Sequence, residues 1–246
     1  MVSQMVILEH QRYSLLTLAS NVACRASRTW TFSNVIAGSD SVTVVMRTLV
    51  YNLLKHQESL DKLIEELREA DKTTGLSRPY PQWDEVKDLP YLDACWNEAV
   101  RLHPPFSLPL ERVAPSGGIV IQDRFFPEGT CIGMNPYVVN RHRPTFGEDA
   151  DEWRPERWLV DDAAARKKLE ASIMTVSITQ SLNLENQLAN SISKFGAGRR
   201  VCAGRYIAML EIKKAVPAIF LNYKVSIREA EFHSTRRLMA LVVQPY

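Results

Sequence analysis

The segment Ser193–Glu211, SKFGAGRRVCAGRYIAMLE, sets Cys202 in a run of glycines and arginines and then continues into helical periodicity. A helix start supplies unpaired backbone N–H groups and the positive end of the peptide dipole, and both favour a thiolate. Glycines open backbone angles closed to other residues, so the loop can turn N–H groups toward the sulfur. A neighbouring arginine can pair with a carboxylate, and an aromatic ring can wall off one side. Such a sulfur suits metal ligation, which needs it deprotonated, fixed in reach and shielded. A lone cysteine at a helix start is also an ordinary structural residue, and this chemistry alone leaves both readings open.

Other motifs do not fit. A phosphate loop needs G-x-x-x-x-G-K followed by Ser or Thr, and none is present. A dinucleotide fingerprint needs a third glycine where Val201 stands. A thiol protease wants a partner histidine, and His10, His56, His103, His142 and His233 give no such pattern.

The 246 residues are 46% hydrophobic, enough to bury a core in one large domain or two small ones. Thirty basic residues against 28 acidic leave a formal charge of +2, which asks for no nucleic acid and no anionic membrane. Cys24, Cys95, Cys131 and Cys202 are far apart, without metal-ligand spacing, so a reducing compartment is expected. Two short apolar patches near the amino terminus are split by Glu9–Arg12 and match neither a signal peptide nor a membrane span. As written, the chain reads as cytoplasmic, with no membrane anchor.

Residues 1–30 yield no element. From Thr31, Val35, Ile36, Val42, Val45, Met46, Leu49, Val50, Leu53 and Leu54 repeat at helical spacing, which predicts a long, deeply buried helix. A second helix is expected over 56–72, with Leu60, Leu63, Ile64 and Leu67 as its stripe and a Glu58–Lys62 pair on its wet face. A third follows, with Asp88 near its start, Pro90 in its first turn and Pro104–Pro105 ending it. The runs 111–114, 117–123 and 131–134 read as strands, with a turn at 126–130 joining the last two as a hairpin. Residues 151–159 read as an irregular packed segment, 161–172 as helical, and 173–192 have no period. A last helix is expected from about Cys202 to Phe220, followed by weak strands near 223–227 and 238–244.

Phe195, Gly198, Arg200, Cys202 and Gly204 match F-x-x-G-x-R-x-C-x-G at every defined position. This resembles the heme-binding loop of the cytochrome P-450 monooxygenases, and the style is closest to fungal microsomal members. Ala37, Gly38, Asp40 and Ser41 are similar to the A-G-x-D/E-T/S element that locally breaks the family's distal helix. Serine stands where the family usually has threonine. Thr43 faces elsewhere on the helix. Taken alone, these residues also read as a helix with a weakening glycine. Glu98 and Arg101 form an E-x-x-R pair on one helix face, and RPERW supplies Arg157.

The resemblance implies a mainly α fold with small β-sheets, the C-terminal part of the cytochrome P-450 fold. Its parts would be a long distal helix, an E-x-x-R helix, a β-hairpin, the cysteine loop and a proximal helix. It implies heme b, with Cys202 as axial iron ligand and Phe195, Gly198, Arg200 and Gly204 as the other loop positions. Arg112 would pair with a heme propionate, and residues 106–110 would line the substrate side. Gly38 leaves room beside the iron, while Asp40 and Ser41 pass protons. Glu98, Arg101 and Arg157 would form a structural network behind the cysteine loop.

The implied activity is dioxygen-dependent hydroxylation of a small apolar organic molecule, of the secondary-metabolite or xenobiotic type. Electrons would come from NADPH through NADPH–cytochrome P-450 reductase, docking near Lys194, Arg199 and Arg205, which equally read as a solvated face. Full-length family members sit at the endoplasmic reticulum membrane. They are about twice this length, so residues 1–30 read as an atypical segment and 31–246 as a truncated heme domain. The alternative is a non-catalytic remnant with weak or no heme binding. Exposed apolar faces on the long helix and poor stability of the isolated chain are expected in either case.

Overall fold

The computed structural model describes residues 2–173, 195, 201–232 and 236–245. Expectations placed on Gly198, Arg200, Lys194, Arg199 and the run 174–192 lie outside the described residues. Two compact units are present, Met1–Asp40 and Ser41–Tyr246. Among the described residues the fold is mainly α with three small antiparallel sheets. No helix among them is long and apolar enough to cross a membrane.

Helix α1 runs from Val2 to Lys55 and takes in residues for which the sequence predicted no element. Over residues 1–30 the apolar residues are spread around the helical positions instead of forming a stripe, so periodicity is silent there. Helix α1 contains no proline and a single glycine, Gly38, and nothing in it stops a helix. The expected local break at Ala37–Ser41 is not formed; the helix continues through it. One interior glycine costs about 1 kcal/mol, too little to interrupt a ladder with many turns on either side. In the first unit Trp30, Phe32, Val35 and Ile36 are exposed, so the deep burial expected of Val35 and Ile36 is not formed and the exposed apolar face expected on the long helix is present there.

In the second unit the core gathers Val45, Leu49 and Leu53 of α1 with Leu60, Leu63 and Leu67 of α2 (Gln57–Thr74). Lys62 does not pair with Glu58 as its spacing predicted. Its Nζ reaches Glu156 Oε1 at 2.6 Å, because Glu156 is brought in by tertiary packing. A one-turn helix α3 (Trp83–Val86) precedes α4 (Pro90–Leu102), whose residues are nearly all buried. Asp88 does not cap α4. Glu66 of α2 accepts from the N–H groups of Tyr91 at 2.6 Å and Leu92 at 2.9 Å, so α2 supplies the cap.

Strand β1 (Leu110–Val113) pairs antiparallel with β4 (Cys131–Met134), and between them β2 (Ile119–Ile121) pairs with β3 (Arg124–Phe126). The hairpin predicted across 126–130 is therefore corrected. The tight turn lies at Gln122–Asp123, both at positive φ (48° and 62°), the twist that a two-residue hairpin prefers. Gly118, also at positive φ, admits no side chain: a Cβ would sit 2.5 Å from the Phe125 ring.

Short helices α5 (Pro136–Val139) and α6 (Arg143–Phe146) lead to a 3₁₀ turn, Pro155–Trp158, in the segment predicted to be irregular. Helix α7 (Ala163–Ala171) is capped by Asp162, which accepts from the Ala164 N–H at 2.9 Å. Helix α8 (Arg205–Asn222) packs Ile212, Val216 and Phe220 into the core. Strands β5 (Tyr223–Phe232) and β6 (Arg236–Pro245) form a longer antiparallel ladder than the sequence predicted. Replacing Gln122–Asp123 by Asn–Gly should stabilise the chain by roughly 1 kcal/mol, since these residues take positive φ readily. Chemical denaturation of the two forms measures the difference.

Candidate functional site

Glu98 lies fully buried on α4, and so does Arg101 one turn later. The Glu98 carboxylate collects five donors. Its Oε1 accepts from Arg101 Nη2 (2.8 Å), Arg157 Nε (3.0 Å) and the Arg154 N–H (3.0 Å). Its Oε2 accepts from Arg101 Nε and the Trp158 indole N–H, both at 2.9 Å. Arg101 spends its other N–H groups on the carbonyls of Asn140 (3.0 Å), Ala150 and Glu152 (3.1 Å). Arg157 binds the Phe146 carbonyl and both the carbonyl (3.1 Å) and carboxylate (3.2 Å) of Asp149. Two carboxylates thus face two guanidiniums, and the buried cluster is close to neutral, the condition under which such charges are tolerated. Burial pushes the Asp149 carboxyl up, but the Arg157 and Arg154 guanidiniums outweigh it and hold the group below the usual carboxylate range.

This cluster lies on the helix that supports the cysteine loop. The Phe195 ring meets Trp96 of α4 edge-on, with centroids 5.9 Å apart. The Cys202 N–H donates to the Phe195 carbonyl at 2.8 Å, closing the loop ahead of α8. Arg205, the first residue of α8, donates to the Cys202 carbonyl at 3.2 Å and to the Tyr206 hydroxyl at 3.1 Å. Gly204 caps α8 with φ −85°, an angle open to any residue. A Cβ there would lie 3.9 Å from the Cys202 sulfur, so the glycine leaves that flank of the sulfur clear.

Cys202 is a half-buried free thiol at the amino end of an 18-residue helix. Among the described residues no group of three or more His, Cys, Asp or Glu could hold a metal ion. A single thiolate donor at a helix start, with an aromatic residue across the loop and no side chain on its glycine flank, fits a heme iron. The structure thus brings Phe195, Cys202 and Gly204 together, and in a second cluster Glu98, Arg101 and Arg157. Arg112 stands on β1 opposite Ile132 and donates to the Glu111 carbonyl at 2.6 Å. Phe106 and Leu108 are exposed. Gly38 and Asp40 lie in the first unit and Ser41 begins the second.

Three partners were missed from sequence. Trp158 sits inside the same RPERW run as Arg157, yet nothing in that run shows that its indole N–H turns to Glu98. Asp149 gave no signal, because its pairing with Arg157 depends on the intervening turn. Trp96 precedes Glu98 by two residues on α4, and only the fold shows that it meets Phe195.

Replacing Glu98 with Gln leaves the buried Arg101 guanidinium without a counter-charge and Arg157 with Asp149 alone, and should cost about 3–5 kcal/mol, read by denaturant unfolding. Asp149 predicts a pH effect of definite sign. Its contribution is fully present above the ordinary carboxylate value of 3.8 and is lost as pH falls through the lowered folded value. Asp149→Asn should flatten stability across that acid window, and unfolding measured over a pH series checks it.

The sequence profile of the cytochrome P-450 family matches residues 25–246. The chain is 53% identical over 206 residues to the cytochrome P-450 monooxygenase pkfB of Emericella nidulans, covering 84% of this chain and 36% of that protein. It is 51% identical over 210 residues to mpaDE of Penicillium roqueforti, covering 85% of this chain and 22% of the relative. With mfmA of Annulohypoxylon moriforme it shares 50% over 206 residues, 84% of this chain and 36% of the relative. The chain therefore spans little more than a third of the length of these relatives, or less. Over that span the thiol loop, the buried charge cluster and the matches agree: the chain belongs to the cytochrome P-450 family.

Proposed function

We propose that this chain carries the thiolate side of a heme monooxygenase that hydroxylates a small, mostly apolar organic molecule. The observation that carries the reading is Cys202. It is a free thiol at the start of α8, its N–H is fixed by the Phe195 carbonyl, and it is backed by the Glu98–Arg101–Arg157 cluster. Cys202 would hold the heme iron through its sulfur, with Phe195, Gly198, Arg200 and Gly204 completing the loop and Arg112 pairing a propionate. When bound, heme supplies the activation of dioxygen for insertion into a carbon–hydrogen bond.

The chain's own residues do the rest. Cys202 would offer its sulfur to the iron from the start of α8, and the phenyl ring of Phe195, held against Trp96, would wall off one side of the loop. The Asp40 carboxylate and the Ser41 Oγ take protons from water and hand them on, so that one oxygen atom leaves as water and the other enters the substrate as a hydroxyl. NADPH is oxidised in balance, its electrons arriving through a reductase that docks at a basic face including Arg205. This reading places the reaction at the endoplasmic reticulum membrane, on its cytoplasmic side. The names of the relatives support monooxygenase chemistry and leave the substrate open.

A second reading is a chain that keeps the ligand loop without turnover. Exposure of Tyr206, Ile207 and Leu210 on the first turns of α8 favours it, since apolar side chains beside the loop lack cover. One experiment separates the two. After heme reconstitution, reduction and carbon monoxide addition, the first reading expects the long-wavelength Soret band of a thiolate-ligated carbonyl complex, together with substrate-dependent NADPH consumption when reductase is added. Cys202→Ser should abolish the band. A band without turnover supports the second reading, and a wild-type spectrum without the band, matched by Cys202→Ser, removes the first.

A further inference from the structure

We propose that Lys213 is a positioning residue for the cysteine loop, acting through α8; the inference rests on the reading of Cys202 as the iron ligand. Lys213 lies in the middle of α8, and its side chain is only 5% exposed. A buried ammonium is costly unless its donors are used. Its Nζ pairs with Asp93 Oδ1 at 2.7 Å and donates to the backbone carbonyl of Lys87. The Trp83 ring lies 5.9 Å away. One side chain thus ties α8 to α3, to the α3–α4 junction and to the first turn of α4.

The geometry shows why an apolar residue would not serve as well. Ile212, Val216 and Phe220 already bury the core face of α8, but apolar contact is non-directional and permits a helix to slide or roll. Hydrogen bonds and ion pairs are directional and fix the angle. Near the sulfur, α4 holds the loop through Trp96, Phe195 and the Cys202 N–H. Far from it, α4 holds α8 through Asp93 and Lys213, about 12 Å along the helix from Arg205 at 1.5 Å per residue. Arg205 is bonded to the Cys202 carbonyl, so motion of the helix moves the loop. Two ties from one helix fix an orientation that a single tie leaves free to pivot. Pro217 strengthens the need, since it cannot donate to the Lys213 carbonyl and the ladder is weakened one turn beyond the anchor.

The test compares wild type with Lys213→Met, Lys213→Arg and Asp93→Asn in the full chain. Two readouts are taken: the share of reduced carbonyl complex in the thiolate-type Soret band, and the rate of Cys202 alkylation by iodoacetamide in the heme-free chain, resolved by peptide mass spectrometry. Lys213→Met and Asp93→Asn should lower the thiolate share several-fold at equal heme content and raise the alkylation rate several-fold. Lys213→Arg should restore both toward wild type. If Lys213→Met keeps the wild-type share and rate in its folded fraction, the residue is merely structural and the proposal fails. If wild type shows no thiolate band, the heme reading fails, and the alkylation comparison still decides whether Lys213 sets the sulfur's surroundings.

Discussion

A single carboxylate, Glu98, stands without solvent between two guanidiniums, and the described core around it depends on that charge being matched. Five N–H donors converge on its two oxygens, from α4 itself, from the backbone at Arg154 and from the 3₁₀ turn that follows. No apolar group could replace it without stranding Arg101 and leaving Arg157 to Asp149 alone. Those arginines in turn fix the carbonyls of Asn140, Phe146, Asp149, Ala150 and Glu152. An irregular stretch with few backbone ladders of its own is thereby satisfied by side chains, which is what permits it to be buried.

The cluster also explains how a short loop can present a sulfur reproducibly. Loops hold their shape when the elements beside them are rigid. Here α4 is made rigid by its charges, capped from outside by Glu66, and presents Trp96 to the Phe195 ring. The loop closes through one backbone bond, Cys202 to Phe195, and enters α8 without a side-chain cap. Gly204, at the N-cap of α8, thus offers no capping side chain of its own to the first N–H groups of the helix.

Local pattern carried much of this fold. The amphipathic stripe of α2, the proline-bounded α4 and the helix after Cys202 were legible because each has apolar spacing or a stop residue that acts within a few positions. Pairings that cross the chain were not. The ladder of β1 with β4 encloses the β2–β3 hairpin, and nothing in the run 126–130 reveals that it leaves one sheet for another. Glu66 as a cap, and Lys62 turning to Glu156 in place of Glu58, are tertiary choices that i,i+4 reasoning misses. Glu98, Arg101 and Arg157 could be named from spacing and resemblance, yet Trp158 and Asp149 close their hydrogen-bond accounting and were invisible to it. The continuous α1 shows the opposite case: the family resemblance at Ala37–Ser41 implies a break, while elementary propensity, with one glycine and no proline, favours an unbroken helix.

A division of labour between forces follows from these cases. Apolar burial sets how deep α8 sits, through Ile212, Val216 and Phe220, but is nearly indifferent to small rotations about the helix axis. Sulfur ligation of a metal is not indifferent: bond distance and angle decide whether a thiolate stays bound or is lost to a proton. The angular precision has to come from groups with direction. In this chain those groups are charged and buried, at Glu98 with its arginines and at Lys213 with Asp93. A core built only of leucine would fold the same helices together and leave the sulfur's position to chance. The expense of burying charge is met where orientation, rather than stability alone, is what the site requires.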